Sequence, residues 1–129
     1  VELTALPGGD AVAADQVLYN LSRRGVEWDL LPWCREAGVA VMAYSPIEQG
    51  RLLRAKGLDA VARALGATPA QVALAWVLAQ GAAAIPRSGS PEHIRELRGA
   101  VDLHLPPEAL DALDQAFAPP RGPTPLEML

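Results

Sequence analysis

The chain has 129 residues, of which half are hydrophobic and a fifth are charged, and its formal net charge is −4. These values are typical of one soluble globular domain, and an acidic balance without a basic patch argues against binding nucleic acid or an anionic membrane. The lone cysteine, Cys34, excludes an internal disulfide and favours a packed thiol in a reducing, cytoplasmic compartment. The longest apolar run, residues 72–79, is shorter than the ~18 residues of a membrane span.

The first half of the chain predicts two strands with a helix between them. Residues 1–6 look like the end of a helix without a start signal of its own, which favours a chain cut from a longer one. Residues 16–20 are predicted to form a strand. A helix then begins at the cap Asp29 and ends at Gly38. Residues 39–44 form a second predicted strand, whose continuous apolar character favours burial on both faces.

The second half continues the alternation of helix and strand, which is typical of a parallel α/β architecture. Thr68 is predicted as a helix cap, with Pro69 at the first position and Gln71 completing a capping box. The helix that follows is apolar nearly all round, so we expect it to be deeply packed. The further predicted elements are an irregular loop over 45–57, a helix over 58–65, a strand over 83–86, helices over 90–99 and 107–117, and an extended tail over 118–129.

The strongest local sign of chemistry is the end of the third predicted strand. Arg87 and Ser88 follow that strand, and Ser90 opens a helix immediately afterwards. A helix N-terminus presents free N–H groups and partial positive charge, and an arginine can bind a phosphate with two parallel hydrogen bonds. The sequence therefore predicts either a phosphate site here or a solvated Arg87 beside a helix cap.

Other candidate residues each have a functional and a purely structural interpretation. Tyr44 ends a buried strand and either stacks on a flat ligand ring or packs in the core. The amide of Gln16 either points into a site or is a polar group at a strand end, and His93 is expected at the surface. The tryptophans are expected as core anchors, and neither the histidines nor Cys34 show metal-ligand spacing. The tryptophans are Trp28, Trp33 and Trp76.

Taken together, these segments resemble the C-terminal half of a bacterial aldo-keto reductase, an NADPH-dependent (β/α)8-barrel enzyme. The resemblance covers essentially the whole chain and implies a partial barrel, with three parallel strands that correspond to the last three of eight. A complete barrel needs roughly 250 residues. The matching segments are residues 16–20, 30–34, 43–47 with Gly50, 68–76, 85–88, 90–94 and 124–129.

The resemblance implies a role in binding NADP(H) for nine residues. Gln16 matches a residue that binds the nicotinamide carboxamide, and Tyr44 matches one that stacks on the nicotinamide ring. Leu97 departs from a usual asparagine that contacts adenine. The remaining matches are Ser45, Ile47 and Gln49 along the pyrophosphate, Arg87 and Ser88 at the 2′-phosphate, His93 where an arginine often supports that phosphate, and Glu96 at the adenosine end.

The catalytic residues that the resemblance implies, an Asp, a Tyr, a Lys and a His, have no match in these 129 residues. Tyr19 and Tyr44 match other positions, and the single lysine, Lys56, lies in a loop. We therefore expect a single domain that binds NADP(H) weakly and has no reductase activity alone. There are two alternatives. The chain is an active NADPH-dependent oxidoreductase once it assembles with a missing half, or it is a half-barrel interaction protein that binds no nucleotide.

Three open strands expose two sheet edges and an apolar inner face. The sequence therefore predicts a homo-oligomer, or capture of an N-terminal half-barrel partner.

Overall fold

The computed structural model describes residue 5 and residues 7–129, so the expected helix end over residues 1–6 lies almost entirely outside the described residues. Short 3-10 turns connect the main elements. The strands are β1 (Ala14–Leu18), β2 (Ala40–Tyr44) and β3 (Ala83–Ile85), and the helices are α1 (Leu30–Ala37), α2 (Lys56–Leu65), α3 (Pro69–Ala79), α4 (Pro91–Arg98) and α5 (Pro107–Ala116).

The three strands form one open parallel sheet in the order β1-β2-β3. Tyr44 on the central strand lies opposite Leu18 on one side and Ile85 on the other. The expected α/β architecture of a partial barrel, with three parallel strands and outer helices, is confirmed. The first strand ends two residues earlier than predicted, because Asn20 turns the chain through paired backbone hydrogen bonds with Arg23.

Helices cover one face of the sheet and leave the other open. The covered face contributes alternate residues such as Val17, Val41 and Ala43 to a core that also contains Trp76. On the opposite face, Met42 is only half-buried and Ala40 is exposed. The expectation that the second strand is buried on both faces is therefore wrong, because within the described chain only one face is packed against helices.

Local signals set the helix ends. Gly38 and Gly66 end α1 and α2 with φ of 70° and 62°, left-handed values that residues with a side chain rarely adopt. At the start of α3 the Thr68 hydroxyl accepts a hydrogen bond from the Gln71 amide at 3.2 Å, and the Gln71 side chain accepts one from Thr68 at 3.0 Å. The predicted capping box is confirmed, whereas the Asp29 side chain makes no cap hydrogen bond at the start of α1.

The buried side chains largely follow the sequence pattern. Residues 72–77 of α3 are all buried, and Cys34 is a packed thiol with no exposed surface. Trp76 is buried and Trp33 packs at the edge of the core, but Trp28 is 48% exposed and is not the core anchor that we expected. Among the described residues no single helix is long and apolar enough to cross a membrane. The pair α2 and α3, bent by 90°, passes the same test only when the two are joined.

Candidate functional site

A cleft of about 490 Å³ opens where β2 and β3 end. The carboxyl ends of parallel strands are where α/β proteins bind ligands, because the following loops meet there. Four of the nine residues selected from the sequence, Ser45, Ile47, Gln49 and Arg87, line this cleft. Its other walls are Pro46, Gly50 and Ile85.

The loop after β2, residues 45–50, has an unusual backbone. Ser45, Glu48 and Gln49 have φ of 49°, 49° and 54°, in the left-handed region that residues with a side chain rarely adopt. Within the described chain, the backbone N–H groups of Ile47 and Gln49 donate to no carbonyl or side-chain acceptor. Free N–H groups on such a bent backbone form a concavity that suits an anion.

A buried carboxylate, Glu48, lies at the centre of this loop and is only 5% exposed. One carboxylate oxygen accepts a hydrogen bond from the Asn20 side chain at 2.8 Å. The other accepts hydrogen bonds from Arg23 Nε at 3.1 Å and Nη2 at 3.0 Å, and a weaker one from Arg51 at 3.3 Å. Asn20 also donates to the backbone carbonyl of Ser45 at 2.9 Å. The residues that follow β1 therefore hold the loop that follows β2.

The electrostatics of this cluster favour an ionised Glu48. Burial alone would raise the pKa of the carboxyl group, but hydrogen bonds from Arg23 and Asn20 and the charges of Arg23 and Arg51 lower it below its ordinary value. The loop is therefore held by a carboxylate rather than by a neutral acid at physiological pH.

Arg87 and Ser88 face two different clefts. Arg87 is exposed, lines the cleft beside the loop and forms no ion pair with any residue in the described part of the chain. Ser88 lines a second, mainly apolar cleft of about 440 Å³ between β3, α3 and α4. The Ser88 hydroxyl accepts a hydrogen bond from the Ser90 amide at 3.2 Å.

His93 and Glu96 lie on α4 and are not among the residues that line the first cleft. The Ser90 side chain caps this helix by accepting a hydrogen bond from the His93 amide at 3.5 Å. The His93 side chain is exposed, as expected, and Glu96 is half-buried with its carbonyl accepting a hydrogen bond from the Gln71 side chain at 3.0 Å. The structure thus does not bring these two residues to the cleft lined by the loop over 45–50, and they do not line the second cleft either.

Gln16 and Tyr44 lie on the open face of the sheet. Gln16 is opposite Met42, and Tyr44 is the next residue on the same face of β2. Gln16 is exposed and Tyr44 is half-buried, so both leave side-chain surface accessible on that face. Tyr44 is the last residue of β2, and the loop over 45–50 that lines the first cleft follows it directly. The open face of the sheet is therefore next to that cleft.

Sequence reasoning missed the cluster formed by Asn20, Arg23 and Glu48. Glu48 lies between Ile47 and Gln49 in a predicted loop, where a carboxylate is usually solvated. Its neighbours in sequence give no indication that it is buried. Asn20, a polar residue at the end of the predicted first strand, was the available signal. In the described part of the chain, no group of three or more His, Cys, Asp or Glu side chains could hold a metal ion.

Comparison with known proteins places this geometry in a family. The sequence model of the aldo/keto reductase family matches residues 5–118. Methylglyoxal reductase YeaE of Escherichia coli K12 is 42% identical over 99% of this chain and 47% of its own length. Pyridoxine 4-dehydrogenase of the same organism is 37% identical over 74% of this chain and 34% of its own length.

A solved structure agrees with the sequence matches. The crystal structure of an aldo/keto reductase from Klebsiella pneumoniae, in complex with NADP and acetate, superimposes with a TM-score of 0.92 and 41% identity. The superposition covers 98% of this chain and 47% of that protein. The chain thus spans about half the length of the E. coli and Klebsiella proteins, each of which matches nearly all of it. It belongs to the aldo/keto reductase family.

Proposed function

We propose that these residues form the cofactor-binding side of an NADP(H)-dependent oxidoreductase. The observation that carries the proposal is the cleft of about 490 Å³, in which Ser45, Ile47, Gln49 and Arg87 come together from two strand ends. The site fits the cofactor because a guanidinium and two backbone N–H groups that have no partner within the described residues can bind the phosphates of a dinucleotide. The related Klebsiella structures contain NADP or NADPH.

Each residue has a distinct task in this proposal. Arg87 pairs with the 2′-phosphate, which separates NADPH from NADH, and Ser88, His93 and Glu96 surround the adenosine end on the α4 side. The loop over 45–50 binds the pyrophosphate. Tyr44 stacks on the nicotinamide ring, and Gln16 holds the carboxamide, so that the ring lies on the open face of the sheet.

The reduction itself needs groups that these 129 residues do not supply. When bound, NADPH provides the hydride that reduces a carbonyl. The carbonyl oxygen must receive a proton, and positioned acid–base groups contribute typically about 10²–10⁴-fold to rate. No residue here matches the family's catalytic Asp, Tyr, Lys or His, so we propose that the 129-residue chain binds cofactor weakly and does not turn over alone. In a complete enzyme, small 2-oxoaldehydes such as methylglyoxal are the substrate class that the relatives suggest.

Calorimetric titration with NADPH and NADH tests the cofactor assignment. We expect NADPH to bind more tightly than NADH, and Arg87→Glu to remove that preference because it reverses the charge at the 2′-phosphate. Arg63→Glu is the matched control, since Arg63 lies on α2, is 75% exposed and does not line the cleft. Equal affinity for the two cofactors, or a preference that survives Arg87→Glu, would remove the phosphate role. Reductase turnover with methylglyoxal by the 129 residues would refute the claim of inactivity.

We also propose that the chain associates, first with a second copy of itself. The open sheet face and several exposed apolar side chains favour this, because burial of apolar surface is worth about 25 cal/mol per Å². The exposed apolar side chains include Leu78, Ile85, Ile94 and Val101. Sedimentation should show a dimer or larger assembly at micromolar concentration, and a stable monomer there would contradict the proposal. Addition of a relative's N-terminal half would test the alternative partner.

A further inference from the structure

Glu48 is a buried titratable group that the proposed cofactor contacts do not use. It does not line the cleft of about 490 Å³, whereas its neighbours Ile47 and Gln49 do. Instead, its carboxylate points to Asn20, Arg23 and Arg51, which give it four hydrogen bonds. A carboxylate removed from water costs free energy unless such partners compensate, so this group calls for an explanation.

The explanation lies in the backbone on either side of it. Three residues with a side chain, Ser45, Glu48 and Gln49, have positive φ, and each such conformation costs of order 1 kcal/mol or more. A strained backbone persists only where the surroundings hold it. Here Asn20 does so twice, by donating to the Ser45 carbonyl and to the Glu48 carboxylate.

The strained loop creates the feature that suits a phosphate. Glu48 and Gln49 in left-handed conformations leave the N–H groups of Ile47 and Gln49 without a protein acceptor in the described part of the chain. The N–H groups of the intervening Glu48 and of Gly50 are occupied, donating to the carbonyls of Ser45 and Ile47 at 2.9 Å. These two internal bonds help to fix the loop, while Ile47 and Gln49, whose N–H groups have no acceptor within the described chain, both line the cleft.

We infer that Glu48 is a positioning residue for the cofactor pyrophosphate, acting through the backbone of residues 45–50 rather than by contact. This inference rests on the proposed function. Loss of the Glu48 carboxylate removes the loop's ion pair with Arg23 and weakens one of its two bonds to Asn20, so the N–H groups of Ile47 and Gln49 are held less firmly. Arg87 belongs to a different strand end, so its phosphate contact stays intact.

Two ligands separate these effects. NADPH carries both a pyrophosphate and a 2′-phosphate, whereas adenosine 2′-monophosphate carries only the group that Arg87 recognises. We expect Glu48→Gln to weaken NADPH binding by about tenfold to a hundredfold, the range for loss of a charge-assisted hydrogen bond. Binding of adenosine 2′-monophosphate should change by less than about twofold. Glu48→Asp, which keeps the charge on a shorter side chain, should recover part of the NADPH affinity.

The control variant is Asp59→Asn, which also removes one carboxylate from an ion pair but on α2, where Asp59 meets Arg63 at 2.9 Å. It should leave both affinities unchanged. If Glu48→Gln weakens both ligands equally, or neither, the positioning role is wrong although the cofactor site stands. If the unmodified chain binds neither ligand, the proposed function fails, and the inference fails with it.

A measurement on the unmodified chain covers the case in which Glu48→Gln does not fold. Addition of inorganic pyrophosphate should shift the backbone amide NMR resonances of Ile47 and Gln49 more than those of Glu48 and Gly50, whose N–H groups are already bonded. Uniform shifts along the loop, or none, would overturn the inference.

Discussion

Two adjacent arginines, Arg23 and Arg24, enter two separate ion-pair clusters. The Arg23 side chain is 36% exposed and binds Glu48, under the loop of the cleft, and Glu127 in the C-terminal tail. The Arg24 side chain is 8% exposed and forms hydrogen bonds with both carboxylate oxygens of Glu27, at 2.8 and 2.9 Å. Although the two arginines are consecutive in sequence, Arg23 binds a loop residue and Arg24 binds residues next to the core.

The Arg24 cluster ties distant elements to the centre of the molecule. Its guanidinium also donates to Asp114 and to the Phe117 carbonyl, both at 2.6 Å, and lies 5.0 Å from the centre of the Trp76 ring. It therefore joins the turn after β1 to α3 and to the end of α5. The Arg23 cluster instead joins two loops at the site. Changes in the first should affect folding, and changes in the second should affect binding.

The largest effect is expected from Arg24→Met, which keeps much of the side-chain volume but removes the charge. It leaves Glu27 largely buried without its cation, and breaking such a pair costs about 3–5 kcal/mol of unfolding free energy. Urea unfolding followed by circular dichroism measures this. Arg63→Met, at an exposed pair on α2, should cost less than about 1 kcal/mol. Similar losses for both variants would show that the Arg24 cluster does not fasten the core.

The two clusters should also lose their contributions to folding stability at opposite ends of the pH scale. Burial, followed by the Glu27 carboxylate that accepts its hydroxyl at 2.8 Å, raises the pKa of Tyr19 well above 10. Its contribution to stability is therefore complete below pH 10 and is lost as pH rises further. For Glu48, burial acts to raise the pKa, but hydrogen bonds from Arg23 and Asn20 outweigh it and lower the pKa below 4.5. The contribution of Glu48 to folding stability is therefore complete above pH 4.5 and is lost in more acidic solution.

Urea unfolding from about pH 3 to about pH 11 tests both arms of this profile. Tyr19→Phe should flatten the alkaline arm only, and Glu48→Gln should flatten the acidic arm only. An unchanged arm in either variant would mean that other groups control stability there.

The smallest effect is expected from Glu127→Gln, which removes the contact between the tail and Arg23. Both side chains of this 2.9 Å pair are substantially exposed, at 36% and 43%, so water and salt screen their attraction. Unfolding and NADPH affinity should change little at physiological salt. A marked loss of NADPH affinity that disappears at high salt would instead show that the tail helps Arg23 to hold Glu48.

Several features were predictable because neighbouring residues decide them. The stop at Gly38 and the capping box of Thr68 and Gln71 depend on residues within one helical turn, and both are present. The strand identities and the candidate residues around the cleft followed from motifs that resemble a known family. The one-sided burial of β2 and the exposure of Trp28 were not predictable in this way, because they depend on which distant elements pack nearby.

The sequence by itself thus determined most helix ends, the parallel strand order implied by its motifs, and the set of residues to inspect for NADP(H). The predicted start of α2 was wrong, because the helix begins at Lys56, which was expected in a loop, and not at residue 58. Only the tertiary structure decided that Glu48 is buried and that Asn20 and Arg23, 28 and 25 residues away, compensate its charge. The physical reason is that propensity and capping act over one turn of chain. The free energy of a buried charge instead depends on whichever groups the fold brings within hydrogen-bond distance.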